Sequence, residues 1–154
     1  MKKIYLFIVF LLINFGGLAI GNLIMGEGPT GEWYNTLRRA PWTPPGWVFG
    51  ASWTLIMLCF SWYLAELFII RASKFLWSIY TLQVVLNVSW NWLFFNKHLT
   101  GIALLGLILL TLVITYFFIT FRSDRLKNAK YLLLPYISWL CVAISLNTYV
   151  VVNN

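Results

Sequence analysis

Residues 38–53 read RRAPWTPPGWVFGASW, with three prolines, three tryptophans and two arginines at the threshold of a long apolar run. Proline fixes φ and removes a backbone donor, and it pushes the residue before it into extended conformation. Pro41, Pro44 and Pro45 therefore hold the chain extended, and helix begins only at about Trp47. From there to Ile70 the sequence is almost wholly apolar, long enough to cross a bilayer, for which about 20 such residues are needed.

Outward from this point the pattern repeats. Apolar stretches cover residues 4–25, 47–70, 75–95, 99–121 and 131–152. Residues 26–46 are too polar and too rich in Pro and Gly to span, and they form one long first loop. Its Trp33, Tyr34, Trp42 and prolines are residues that pack and stiffen, so an ordered lid is expected rather than a loose connector. The expected architecture is all-α: an integral membrane bundle of five transmembrane helices forming one domain over residues 1–154.

Composition agrees. Of the 154 residues 61% are hydrophobic and 10% charged, where globular domains average about 25% charged. Mean hydropathy is +0.81. The first segment follows MKK, as a signal peptide would, but its apolar run is long and no small-residue cleavage site follows, so it reads as a retained helix. The net charge of +7 lies in short loops, so it reads as topology and not as nucleic-acid binding. Lys2, Lys3, Arg71, Lys74, Arg122, Arg125, Lys127 and Lys130 give 8 basic residues on the N-terminal side; Arg38, Arg39 and Lys97 give 3 on the other. The positive-inside rule then sets the N-terminus in the cytoplasm and the lid and C-terminus outside. Cys59 and Cys141 lie within apolar runs and read as unpaired packing residues.

Polar groups inside spans are costly and mark interfaces or cavities. Gln83, Asn87 and Asn91 recur every four residues and share one helical face, beside Trp90 and Phe94. That face turns inward, as helix–helix glue or as the wall of a cavity. Trp139, Ala143, Leu146, Asn147 and Val150 share a face of the last segment, where a large ring beside a small Ala leaves a concave step. Gly17 and Gly21 permit close helix approach, within the bundle or between protomers. Glu66 is the one acid inside a span; it lies near the helix end, not far from Arg71, and reads as snorkelling to the interface, and His98 reads as a solvated loop residue. No phosphate loop, metal cluster, cofactor motif or nucleophile triad is present in the sequence, and four acids with one histidine leave little for acid–base catalysis.

Two motifs carry a specific resemblance. The loop reads W-Y-x-x-L…P-W-x-P-P-x-W-x-x-G-x-x-W through Trp33, Tyr34, Leu37, Pro41, Trp42, Pro44, Pro45, Trp47, Gly50 and Trp53. The last segment reads P-Y-x-x-W-x-x-x-A-x-x-L-N through Pro135, Tyr136, Trp139, Ala143, Leu146 and Asn147. With LNVSW and the following FF, they resemble the translocator protein family, also called tryptophan-rich sensory protein or peripheral-type benzodiazepine receptor, over nearly the whole chain. The resemblance implies a bacterial member in the cell membrane, a homodimer, and a pocket under the first loop.

The ligands it implies are protoporphyrin IX and other tetrapyrroles, sterols, and synthetic isoquinoline carboxamides. Mapped by motif, the pocket uses Tyr34, Trp53, Asn87, Trp90, Trp139, Ala143 and Leu146, with Arg38 and Arg39 at its rim for an anionic edge. The roles implied are sensor, carrier or scavenger; light-dependent protoporphyrin degradation by Trp53 and Trp139; or transport of a porphyrin or sterol-like lipid. The sequence departs from the family pattern at Ala40, where Pro is usual, at Gly106, where Asp is usual, and after Tyr149, where no basic residue follows. The last departure weakens a sterol role.

The basic-residue asymmetry is directly testable. A reporter active only in the periplasm, fused after Asn154, is expected to give signal, and a cytoplasm-only reporter there to stay dark; the reverse pattern would overturn the orientation.

Overall fold

The computed structural model describes residues 1–121, 126 and 128–154. Arg122, Arg125 and Lys127, which enter the charge count above, lie outside the described residues. In hydrocarbon no water is available to backbone N–H and C=O groups, so a spanning segment satisfies them within one helix. The described residues accordingly form helices and connecting turns, with no strand among them. Helix α1 is Lys2–Ile24, α2 is the short Glu32–Thr36, α3 is Gly46–Ile70, α4 is Lys74–Asn91, α5 is Thr100–Thr120 and α6 is Leu134–Asn153.

Local chemistry explains the boundaries. Pro45 holds extended backbone (φ −62°, ψ 151°) and α3 starts at the next residue. Ser73 caps α4 by accepting a hydrogen bond from the Leu76 N–H at 3.1 Å. Pro135 stands in the first turn of α6, where a missing N–H costs nothing. One 3₁₀ segment, Ala129–Leu133, leads into α6, so part of the fifth apolar stretch is 3₁₀ and not α.

The segments containing α1, α3, α5 and α6 are long and apolar enough to cross a membrane by length and composition. Helix α4 is not, because its polar residues lower its hydropathy; Gln83 and Asn87 are buried inside the bundle, away from lipid. The five long helices close into a ring: α1 packs on α3 and α4, α4 on α5, α5 on α6, and α6 back on α3. Large apolar side chains such as Leu12, Leu23, Leu105, Leu112 and Val152 face outward, where lipid covers them.

Inside the ring, aromatic rings meet edge to face. Phe60 contacts Tyr136 at 5.5 Å and Phe117 at 6.1 Å between centroids, and all three are fully buried. Gly17 lies against Val84 and Val88 of α4, and a Cβ on Gly21 would fall 2.7 Å from Asn91 Nδ2. The small residues of α1 therefore serve packing within the bundle. Asn14 joins three helices: its Nδ2 donates to Ser61 Oγ of α3 at 2.9 Å, and its Oδ1 accepts from Tyr80 Oη of α4 at 2.8 Å. Glu66 pairs with Lys3 of α1, whose ammonium also sits 4.3 Å from the Trp62 ring centroid. Cys59 and Cys141 are both free, and Cys141 faces outward.

Replacing Asn14 by Leu strands the hydroxyls of Ser61 and Tyr80 in the core. Each buried polar group left unpaired costs about 1–3 kcal/mol. Asn14→Leu is expected to lower the thermal midpoint in detergent clearly. Ser78→Ala, which loses only a bond to the Lys74 carbonyl of its own helix, is expected to stay near the parent value.

Candidate functional site: a cleft beneath an aromatic lid

The lid leaves α1 through Gly26 and Gly28, whose φ values of +70° and +57° suit glycine. It then forms a 3₁₀ turn at Gly28–Thr30 and the short α2. Helix α2 lays two rings on the end of α4. Trp33 meets Phe94 at 5.7 Å, and Tyr34 meets Phe95 at 5.3 Å. His98 is exposed, as expected of a loop residue, and its ring also stacks on Trp33 at 3.9 Å with planes 10° apart. The Arg39 guanidinium lies 5.2 Å from the centre of the Tyr34 ring.

The rest of the lid is latched to α6. Asn154 embraces the backbone of Arg38: Oδ1 accepts from the Arg38 N–H at 2.9 Å, and Nδ2 donates to the Arg38 carbonyl at 3.2 Å. Trp42 Nε1 donates to Ser145 Oγ at 3.2 Å, and its ring meets Tyr149 at 5.5 Å. These latch contacts are exposed, and no ion pair joins lid to bundle among the described residues.

Below the latch lies a cleft. Arg39, Ala40 and Thr43 of the lid roof it. Phe49 of α3, Trp90 and Phe94 at the end of α4, and Ala143, Leu146, Asn147 and Val150 of α6 wall it. The π-turn Trp92–Asn96 ends α4, closed by the Lys97 N–H on the Trp92 carbonyl at 2.9 Å. It leaves Phe94 stacked face to face on Trp90, 5.2 Å apart with planes at 20°, so that each ring covers part of the other's face. Arg39 is the one ionisable lining group, so the cleft carries no acid–base pair. Among the described residues no cluster of His, Cys, Asp and Glu could hold a metal.

Two polar atoms at this cleft have no partner. Asn147 Nδ2 donates to the Thr100 carbonyl at 2.9 Å, but its Oδ1 is buried and unpaired, as is Trp90 Nε1. The free volume is only about 50 Å³, against the roughly 300–1,000 Å³ of small-molecule sites. With the lid as it lies, the cleft is too small for a drug-sized molecule.

The structure thus brings Arg39, Trp90, Ala143 and Leu146 together at the cleft. Asn87 is buried one turn along the same face of α4 from Trp90. Trp139 is buried behind Phe49, edge-on at 5.2 Å and 87°, and its other side lines a groove between α3 and α6. Trp53 meets Tyr136 edge-on at 5.8 Å. Tyr34 walls a separate outer hollow with Trp33, Phe95 and His98. Arg38 lies on the latch, held through its backbone. Phe49, absent from the sequence-based set, stands four residues before Trp53, a spacing that places both on one helical face.

A ring of five long helices with an aromatic lid over one end defines a multi-pass α-helical membrane protein with a covered cleft. The chain belongs to the TspO/MBR family, whose profile matches residues 7–152. It is 28% identical over 143 residues to the tryptophan-rich sensory protein of Cereibacter sphaeroides, covering 92% of this chain and 87% of that one. It is 29% identical over 122 residues to protein CrtK of Rhodobacter capsulatus, covering 76% and 75%. The translocator protein of Ovis aries is 31% identical over 146 residues, covering 86% and 79%.

Proposed function

We propose that this protein binds protoporphyrin IX and related haem-pathway tetrapyrroles, with other flat apolar ligands, beneath its lid, and acts as a sensor, carrier or scavenger. The observation that carries the reading is a cleft lined by the rings of Phe49, Trp90 and Phe94 and by the small Ala143, with a single cation, Arg39, at the roof. A planar ligand gains most by laying its face on aromatic surface. Its carboxylates suit the planar fork of an arginine, although a wet rim contact contributes only about 0–1 kcal/mol. A macrocycle needs the lid displaced and Phe49 turned, which would bring its plane toward Trp139 and Trp53.

In this reading the chain works as one five-helix domain, as a homodimer in a bacterial cell membrane, with its N-terminus cytoplasmic. Tyr149 is engaged by Trp42 and followed by no cation, which gives a sterol less to hold.

A second reading, light-driven loss of the pigment, draws on the contact of Trp139 with Phe49 at the cleft wall. Indole is far easier to oxidise than benzene, so Trp139→Phe is expected to keep most of the affinity for protoporphyrin and to lose any light-driven bleaching. Bleaching that survives Trp53→Phe and Trp139→Phe together would remove the chemical role. Absence of bleaching in the unmutated protein would leave binding alone. Binding itself is tested by Ala143→Phe, which puts a ring into the cleft that Ala143 lines. Protoporphyrin affinity, read by tryptophan quenching, is expected to fall at least about tenfold, or ~1.4 kcal/mol, with thermal stability nearly unchanged. Unaltered affinity would move the site elsewhere.

A further inference from the structure

We infer that the outward groove between α4 and α5 holds one acyl chain of an anionic phospholipid, with the phosphate of its headgroup at Arg71 and Lys74. The site lies on the lipid-facing side of the ring, apart from the cleft beneath the lid, and does not depend on what that cleft binds.

Phe75, Ile79, Leu82 and Leu86 of α4 and Leu112 and Tyr116 of α5 enclose a hollow of about 360 Å³. Apart from the Tyr116 hydroxyl, every side chain that lines it is hydrocarbon. The four α4 residues recur at i, i+4, i+7 and i+11, one stripe of the helix, so the hollow is a channel along the helix and not a local dimple. At 1.5 Å per residue the stripe is roughly 16 Å long, about half of a ~30 Å hydrocarbon core. Helix α4 begins at Lys74. The channel therefore runs from its first turn to about the middle of the bilayer, which is the depth of one leaflet and the reach of one acyl chain. A rigid neighbour would leave part of such a channel empty and lose dispersion contacts there, whereas a flexible chain follows it.

The mouth of the channel is basic. Lys74 precedes Phe75, and Arg71 stands in the short turn before α4; both are exposed, and neither makes an ion pair among the described residues. Helices α4 and α5 contain no acid. Of the four acids in the chain, Glu27 and Glu32 belong to the lid and Glu66 is paired with Lys3. Asp124 lies outside the described residues, between Arg122 and Arg125 in the sequence. Tyr116, on the α5 side, is 38% exposed and of a type that settles at headgroup level. Unpaired cations at the membrane surface favour anionic headgroups by roughly fivefold in affinity for each Lys or Arg. A second copy of the chain suits this groove less well. Copies insert the same way up, so a two-fold contact here would bring Arg71 and Lys74 toward their own counterparts.

The test uses the full chain in phosphatidylcholine nanodiscs with two trace probes, a phosphatidylglycerol and a phosphatidylcholine that carry the same diazirine on an acyl chain. After illumination the adducts are mapped by mass spectrometry, with the outward α1 residues Ile8 and Leu12 as the reference for bulk lipid. Relative to α1, the phosphatidylglycerol probe is expected to label the groove at least roughly tenfold more than the phosphatidylcholine probe. Arg71→Gln together with Lys74→Gln is expected to bring that ratio to about one. Leu112→Trp, which fills the groove from an exposed position, is expected to remove the excess and leave labelling of α1 unchanged. Equal labelling by the two probes in the unmutated protein would overturn the inference. So would a ratio that survives the paired Gln changes, or one that survives Leu112→Trp. A groove labelled by neither probe would overturn it as well, and loss of a dimer in Leu112→Trp would then assign the groove to a second copy. Should Leu112→Trp fail to fold, Leu82→Trp fills the groove from its α4 side and gives the same readout.

Discussion

Helices in hydrocarbon gain little by hiding leucines from lipid, because lipid is as apolar as the bundle interior. What holds this ring together is what lipid cannot supply: close backbone contact and hydrogen bonds between helices. The small faces of Gly17 and Gly21 bring α1 onto α4. Asn14 then ties α1 to both α3 and α4. Gln83 Nε2 donates to Tyr136 Oη at 2.9 Å and joins α4 to α6. Tyr63 Oη donates to the Phe117 carbonyl at 3.1 Å and joins α3 to α5, and Asn147 ties α6 to the start of α5. Each of these bonds joins different helices, and together they set the ring on which the cleft is built.

The same rule gives the lid end its character. Away from the lid Asn14, Ser61, Tyr80 and Gln83 Nε2 find protein partners, though Gln83 Oε1 finds none. At the top, where α4 widens into a π-turn and α6 offers Ala143, Trp90 Nε1 and Asn147 Oδ1 find none. Above that gap the lid is latched by a few exposed contacts from Asn154, Ser145 and Tyr149 to Arg38 and Trp42. The bundle is thus cross-linked where it must be rigid and lightly fastened where a ligand would have to enter.

Much of this was legible in the sequence for physical reasons. Span length is dictated by the bilayer, and Pro44 and Pro45 mark where α3 can begin. The four-residue spacing of Gln83, Asn87 and Asn91 marks the inward face of α4, although the same residues make it the least apolar of the long helices. Features that depend on which helix lies opposite were not legible. Asn14 has no periodic partner in the chain, and its role appears only when Ser61 and Tyr80 converge on it. Glu66 has Arg71 near in sequence, yet Lys3 reaches it across the α1–α3 contact. His98 is exposed, as its loop position suggests, but its stacking on Trp33 appears only once α2 folds over the end of α4. Within the candidate site, motif spacing pointed to Trp90, Ala143 and Leu146, whereas the placing of Phe49 between the cleft and Trp139 is a matter of tertiary packing.

A ligand of the proposed size would fit beneath the lid only if the lid were released from α6, and locking that latch is the most direct test. Arg38→Cys and Asn154→Cys, in a Cys59→Ser, Cys141→Ser background, place two thiols at the Asn154–Arg38 contact for a short cleavable crosslinker. Protoporphyrin binding is then measured before crosslinking, after it, and after cleavage of the linker. The account predicts binding in the first and third states and its loss in the second. Undiminished binding by the crosslinked protein would contradict it, because the ligand would then be reaching its site without moving the lid.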